Sequence, residues 1–163
     1  MNKQLLKNTL ELIKNNQNHW NQRHWHCGTS HCFAGFVELQ TKNLPVDTYE
    51  DDPRLVGDSI LSSTNHVGRV NYIAMDALNI NDELANLLFN ANNTLEELTD
   101  IVEVLTKDTI TVEDLSNFSY LQKLAIIFGE ENLSIDVLRV LDEDEDGYLV
   151  DCLYDRDNLP EGF

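Results

Sequence analysis

The sequence predicts an all-α protein, a single compact domain of seven to nine short helices. Two observations indicate this fold class. Apolar residues recur at three- and four-residue intervals in several separate segments, which places them on one face of a helix. Residues that favour helix N-termini, such as Asn81, Thr94 and Thr111, precede several of these segments. Residues 109–112 have strand propensity, but a lone short strand has no partner there.

Length and hydrophobicity set the domain organisation. The 163 residues suffice for one domain, which can bury a core without a metal or a disulfide. We divide the chain into N-terminal helices with a Trp/Cys/His core stretch (1–42), a polar loop (43–66), a helical body (67–129) and an acidic helical tail (130–163). No apolar run approaches a membrane span and no signal peptide opens the chain, so we expect no membrane partner. Three cysteines, an odd number, favour a reducing, cytoplasmic location.

The net charge of −18 is distributed unevenly along the chain. Residues 1–46 carry five Lys or Arg against two acids, whereas residues 47–163 carry six against 27. A field of this sign repels nucleic acids and anionic membranes, and it attracts basic surfaces. The charge therefore argues against direct nucleic-acid binding. It indicates either a strongly solvated surface or a partner with a basic protein surface.

The N-terminal region begins with an amphipathic helix over residues 4–16. Its apolar face is formed by Leu5, Leu6, Thr9, Leu10 and Ile13. Residues 20–36, WNQRHWHCGTSHCFAGF, hold both tryptophans, and we expect both indoles to pack on this helix with their N–H groups bonded locally. Gly28 should break the chain. Thr29 or Ser30 should then cap a second helix that extends to about residue 42.

Five residues of this stretch are of types that bind zinc: His24, His26, Cys27, His31 and Cys32. Their spacing does not match a zinc finger, because there is no Cys-x-x-Cys pair and no second knuckle. We therefore predict no cofactor and keep the five as weak metal candidates. A core thiol at Cys32 and hydrogen-bonded histidines are the simpler interpretation. A nucleophilic Cys27 with His31 or His24 is a further alternative, but catalytic pairs usually lie far apart in sequence.

One motif in this stretch combines Trp25, Cys27-Gly28-Thr29, Cys32 and Ala34-Gly35-Phe36. It resembles a motif in a widespread set of uncharacterised bacterial and phage proteins, which more often have Trp at the position of Phe36. The resemblance continues over residues 81–105, where similar proteins also place a Leu-Phe pair and an acidic helix. It implies a phage or mobile-element context and no particular activity.

The helical body contains five predicted helices. They cover residues 67–78, the segment after the cap Asn81, the segment after the capping box Thr94-x-x-Glu97, the segment after a cap near Thr111, and residues 119–128, with Gly129 as a C-cap. The helix after Thr94 has an apolar stripe of Leu95, Leu98, Ile101, Val102 and Leu105. Its other face carries Glu96, Glu97, Asp100 and Glu103, which we predict to bind a basic partner.

The tail holds the second set of predicted partner-binding acids: Asp142, Asp144, Asp146 and Asp151. Asp142, Asp144, Asp146 and Gly147 match the first half of an EF-hand calcium loop, but Leu153 stands where a bidentate Glu is needed, so only weak calcium binding could result. Residues 133–163 also resemble one unit of the leucine-rich-repeat-variant or HEAT-like helical repeats, which shares the Asn158-Leu159-Pro160 ending. That resemblance implies two short helices, over residues 134–141 and 147–154.

Three functions are compatible with these observations. The first is a non-enzymatic, phage- or mobile-element-encoded factor that inhibits or decoys a host nucleic-acid-binding protein or nuclease complex, as DNA mimics and CRISPR inhibitors do. The second is a metal-binding or thiol module centred on residues 24–32, and the third is an enzyme that uses Cys27 or a histidine. We favour the first because acids dominate the charge and no convincing catalytic set is present. The oligomeric state is left open.

Overall fold

The computed structural model describes residues 1–55 and 69–129 of the chain. Seven α-helices occur in these ranges: α1 (Lys3–Asn15), α2 (Phe33–Thr41), α3 (Arg69–Leu78), α4 (Asp82–Leu88), α5 (Leu95–Leu105), α6 (Val112–Leu115) and α7 (Tyr120–Gly129). A 3-10 turn covers Gln17–His19, and strands β1 (His26–Cys27) and β2 (Ser30–His31) form one small hairpin. The all-α prediction is confirmed, and the hairpin is a local addition to it.

The centre of the fold is α2, which is buried along nearly its whole length. Every residue from Phe33 to Leu39 is buried, so this helix has no solvent face in its first two turns. It packs against α1 and α3, and α1 packs in turn against α5. The predicted apolar face of α1 is confirmed, since Leu6, Thr9, Leu10 and Ile13 are all buried.

The start of α2 differs from the prediction that Thr29 or Ser30 caps it. Thr29 lies in the turn of the hairpin and Ser30 belongs to β2, because the chain pairs with itself before the helix begins. The N-cap residue is Cys32, whose side chain makes no capping hydrogen bond. Instead, the first helical N–H, that of Phe33, donates to Oε1 of Gln22 at 3.0 Å. The cap therefore comes from a residue outside the local sequence.

The three predicted caps of the helical body are confirmed. The side chains of Asn81, Thr94 and Thr111 accept hydrogen bonds from the N–H groups at the third helical positions of α4, α5 and α6. Gly129 differs from its predicted role, because it is the last residue of α7 rather than its C-cap. A Cβ on Gly129 would lie 2.1 Å from Cγ of Leu84, so the missing side chain allows α7 to approach α4.

The predicted polar loop is irregular over its described part, residues 43–55. It is not simply solvated, because Leu44 and Leu55 are buried against Leu39 at the end of α2. Residues 56–66 of that loop lie outside the described residues, as do the predicted tail helices and the acids Asp142, Asp144, Asp146 and Asp151. None of the described helices has the length and apolar composition needed to cross a membrane.

The capping box at α5 supports a first prediction. Oγ1 of Thr94 accepts a hydrogen bond from the Glu97 N–H at 3.2 Å. The Thr94 N–H in turn donates to the Glu97 carboxylate at 2.7 Å. Thr94→Ala should lower the free energy of unfolding by about 1 kcal/mol, because both the cap and its reciprocal partner are weakened. Urea unfolding followed by circular dichroism measures this change. Thr94→Ser, which retains the hydroxyl, should stay close to wild type, and an equal loss in both variants would disprove the capping explanation.

Candidate functional site

The hairpin sorts its four strand residues onto two faces. His26 pairs with His31 and Cys27 pairs with Ser30, in antiparallel register. Opposed residues of such a pair lie on the same face, so the two histidines point inward together while Cys27 is exposed. Gly28 begins the turn with a φ of 59°, a value that tight hairpin turns require and that glycine adopts readily. The hairpin thus buries two imidazoles above α2.

These imidazoles continue into what we call the buried polar chain, made of His31, His26, Glu38 and Lys42. Nδ1 of His31 lies 2.6 Å from Nδ1 of His26, and Nε2 of His26 lies 3.0 Å from Oε2 of Glu38. The second oxygen of Glu38 accepts from Nζ of Lys42 at 2.6 Å. His26 and Glu38 are closed to solvent, with side-chain exposures of 1% and 0%. Lys42 at the outer end also donates to the carbonyl of Arg54 at 2.5 Å.

The Glu38 carboxylate fixes the position of one ring proton of His26. A carboxylate only accepts hydrogen bonds, so Nε2 of His26 carries a proton toward Glu38. In the contact between the rings, one Nδ1 donates and the other accepts, because two N–H groups or two lone pairs would repel at this distance. Nε2 of His31 is buried and makes no hydrogen bond among the described residues, although the backbone of Val46 and Thr48 favours the charged form of this ring. One proton therefore lies between the two Nδ1 atoms.

Burial lowers the pKa of His31 from 6.5 to about 4, and repulsion from His26 adds to this effect. The neutral ring is thus the stable form in the folded protein at neutral pH. The buried polar chain connects the hairpin to Lys42 through successive hydrogen bonds. A substrate cannot reach it, because His31 and Glu38 are fully buried.

The structure separates the five weak metal candidates. His24 and Cys27 are exposed, Cys32 is buried at the N-cap of α2, and the two remaining histidines bond to each other. Within residues 1–55 and 69–129, no group of three or more His, Cys, Asp or Glu is arranged to hold a metal ion. The hairpin also places Cys27 and His31, the residues of the alternative nucleophilic pair, on opposite faces.

The predicted acids of α5 all lie on its solvent side. Glu96, Glu97, Asp100 and Glu103 are exposed, whereas the buried residues of α5 are Leu98, Ile101, Val102, Val104 and Leu105. The Glu97 carboxylate is engaged by Thr94. The other three, which we call the α5 acidic stripe, are four and three residues apart and form no ion pair with any described residue.

The interior site, by which we mean the buried polar chain together with Gln22, contains three residues that the sequence analysis missed: Gln22, Glu38 and Lys42. Glu38 and Lys42 are four residues apart in a helical segment, which is the spacing of a helical ion pair and could have flagged them. Gln22 gave no such signal. Its amide bonds to Trp20, Phe33, Leu88 and Asn90, two of which lie more than 60 residues away.

The two tryptophans make different contacts. Nε1 of Trp20 donates to Gln22 at 3.2 Å, a local bond of the expected kind. The ring of Trp25 meets Phe89, at the end of α4, edge to face with centroids 6.4 Å apart. The sequence predicts that Trp25 packs on α1, and the ring contact that the structure shows is with Phe89 beside α4.

Comparisons of the chain with protein families, curated proteins and solved structures found no match.

Proposed function

We propose that the protein is a non-enzymatic binding factor whose acids engage a basic surface on a nucleic-acid-binding protein or nuclease complex. It would act as an inhibitor or decoy, as DNA mimics and CRISPR inhibitors do. One observation carries this proposal: Glu96, Asp100 and Glu103 are exposed on one face of α5 and form no ion pair among the described residues.

The spacing of the α5 acidic stripe supports a surface that imitates a nucleic-acid strand. From Glu96 to Glu103 the helix rises about 10 Å at 1.5 Å per residue. One strand of B-DNA carries about one charge per 3.4 Å of axis, which is about three charges over the same length. The stripe also presents three carboxylates. A protein groove that neutralises phosphates could therefore meet a similar number of charges on α5.

The charge around the stripe also favours attraction to a basic partner. Residues 69–129 contain ten acids and three Lys or Arg. Lys107, just beyond α5, is paired with Asp114. A field of one sign speeds encounter with an oppositely charged surface and makes the complex sensitive to salt.

The stripe is independent of the core, so binding and stability can be tested separately. Leu98, Ile101 and Val102 of α5 are buried in the core, whereas the three carboxylates of the stripe are exposed. Neutralising these carboxylates should therefore leave the core packing unchanged. A phage or mobile-element origin and a cytoplasmic location are further parts of the proposal. The odd number of cysteines in the chain, three, favours a reducing compartment.

The test begins with a tagged pull-down from a bacterial host lysate, washed at low and then moderate salt, with mass spectrometry of the bound proteins. We expect a nucleic-acid-binding protein that salt or competing DNA releases. The triple variant Glu96→Gln, Asp100→Asn, Glu103→Gln should then bind the purified partner about tenfold more weakly at low salt, because three steering charges are removed. Isothermal titration calorimetry at two salt concentrations measures this loss.

A matched control removes the same charge elsewhere. Asp47, Glu50 and Asp51 are exposed acids of the 43–55 loop, so Asp47→Asn, Glu50→Gln, Asp51→Asn changes the net charge equally. It should reduce affinity less than threefold or so if the α5 stripe is the contact. A tail variant, Asp142→Asn, Asp144→Asn, Asp146→Asn, tests the second predicted set. Affinity that survives both the α5 and the tail changes without salt dependence would contradict the proposal.

A further inference from the structure

Helix α7 exposes an apolar side chain where an amphipathic helix would expose a polar one. Leu121 is 76% exposed, and it is the one exposed side chain between residues 121 and 127. Its polar neighbours Gln122 and Lys123 are half-buried. The other large exposed hydrophobic residues among those described are Tyr49 and Tyr72, whose hydroxyl groups can bond to water. Leu121 has no such group, so its exposure is unfavourable.

Leu121 belongs to what we call the outer stripe of α7, made of Leu121, Leu124 and Ala125. These residues are three and four positions apart and therefore lie on one side of the helix. Leu124 and Ala125 are partly buried, whereas Ile126 and Ile127 are fully buried. Since α7 packs against α4, part of its apolar surface is already covered. A helix that is apolar on more than one side is normally covered on each of them.

The outer stripe cannot turn inward, because Gly129 fixes how α7 lies on α4. A Cβ at this position would lie 2.1 Å from Cγ of Leu84. Turning the helix about its axis would bring a side chain into the space that the glycine leaves free. A cover for the outer stripe must therefore come from a segment other than α4.

We propose that the outer stripe of α7 is the docking site for residues 133–141 of the same chain, LSIDVLRVL. These residues lie outside the described ranges, and the proposal uses their sequence. Apolar residues recur in it at helical spacing, at Leu133, Val137, Leu138 and Leu141. One face of such a helix would be apolar, which is the chemistry that the outer stripe requires. This inference does not depend on the proposed binding function.

The connection to this segment is short enough to favour docking. Only residues 130–132 separate Gly129 from Leu133, and antiparallel helices are commonly joined by two to five residues. Leu133 cannot lie more than about 14 Å from Gly129, even with the connection fully extended. Nine helical residues span about 14 Å and the ten residues of α7 about 15 Å. The segment can therefore reach the whole outer stripe.

Two further considerations favour this occupant over a second molecule. A segment tethered by so short a connection has an effective concentration of roughly millimolar or more at the stripe. The net charge of −18 opposes association of two copies of the chain. Docking would also anchor the predicted partner-binding acids that follow the segment directly, Asp142, Asp144 and Asp146, on the helical body.

Amide hydrogen exchange of the full-length protein tests the docking. Residues 134–141 should be protected in the wild type. Leu121→Asp should lower their protection about tenfold or more, because a carboxylate cannot be buried under an apolar helix face. Tyr72→Asp is the matched control, since it adds the same charge at a 61% exposed residue of α3, and it should leave this protection unchanged. An unprotected segment in the wild type, or equal protection in wild type and Leu121→Asp, overturns the proposal.

Sedimentation equilibrium and proton NMR separate the remaining outcomes. The wild type should be monomeric, and a dimer that Leu121→Asp dissociates would mean that a second copy covers the stripe, which overturns the proposal. If Leu121→Asp does not fold, the wild type decides. Nuclear Overhauser effects should connect the methyl groups of Leu121 with those of Leu133, Val137 or Leu141, and their absence also overturns the proposal.

Discussion

Gly35→Ala should lower the free energy of unfolding by about 3 kcal/mol, because the interior has no room for one added methyl group. A Cβ on Gly35 would lie 2.5 Å from the carbonyl oxygen of Trp25, 3.0 Å from Cβ of His31 and 3.1 Å from Cε1 of His26. The Trp25 carbonyl cannot simply turn away, since it accepts the hydrogen bond of the Cys32 N–H. Relief therefore requires the hairpin to lift from α2.

The matched control is Gly28→Ala, seven residues earlier, in the turn of the hairpin. No atom lies within 4 Å of the new Cβ there, and the change is unfavourable only through the backbone φ of 59°. The expected loss is about 1 kcal/mol. Urea unfolding at neutral pH compares the two variants. A smaller loss of unfolding free energy for Gly35→Ala than for Gly28→Ala would contradict the close packing of the hairpin on α2.

Gln22→Ala should lower the free energy of unfolding by about 3 kcal/mol, because it removes hydrogen bonds from several buried groups at once. Oε1 accepts from the Phe33 N–H at 3.0 Å, and Nε2 donates to the Leu88 carbonyl at 3.0 Å and the Asn90 carbonyl at 3.3 Å. Gln22 is itself 6% exposed, so water cannot readily replace these bonds. The loss should appear as a lower urea midpoint with an unchanged slope.

Gln22→Glu separates the two halves of this amide. It keeps an acceptor for Phe33 but places a second oxygen against the carbonyls of Leu88 and Asn90, so a large loss is expected again. Gln17→Ala is the control, because Gln17 is exposed and its amide makes one bond, to the Lys14 carbonyl. That change should stay within about 0.5 kcal/mol of wild type. If Gln22→Glu left the free energy of unfolding unchanged, the assigned orientation of the amide would be contradicted.

The helices of the body could be predicted because their determinants are local. Thr94 and Glu97 are three residues apart, as are Thr111 and Asp114, and each pair caps its own helix. The buried face of α1 was equally readable, since the spacing of apolar residues fixes which side of a helix faces the core. These features depend on neighbours within one or two helical turns.

The interior site could not be predicted in the same way, because its partners meet only through the fold. The preference of Thr and Ser for N-cap positions predicts a cap at Thr29 or Ser30, but pairing of His26 with His31 places these residues in a hairpin instead. The stretch was singled out by its residue types, and three of its histidine and cysteine members are indeed buried. The bond from His26 to Glu38 and the burial of His31 and Cys32 depend on tertiary packing.

The long-range cap by Gln22 has a consequence for the order in which the protein folds. The helices α5 and α6 carry their own capping residues, so each can begin to form from local contacts. The start of α2 is satisfied only when Gln22 reaches it, and the other end of that amide is bonded 66 residues away at Leu88. Closing so long a loop is slow relative to local helix formation. The central helix should therefore become ordered late, after α4 has provided the surface on which Gln22 is held.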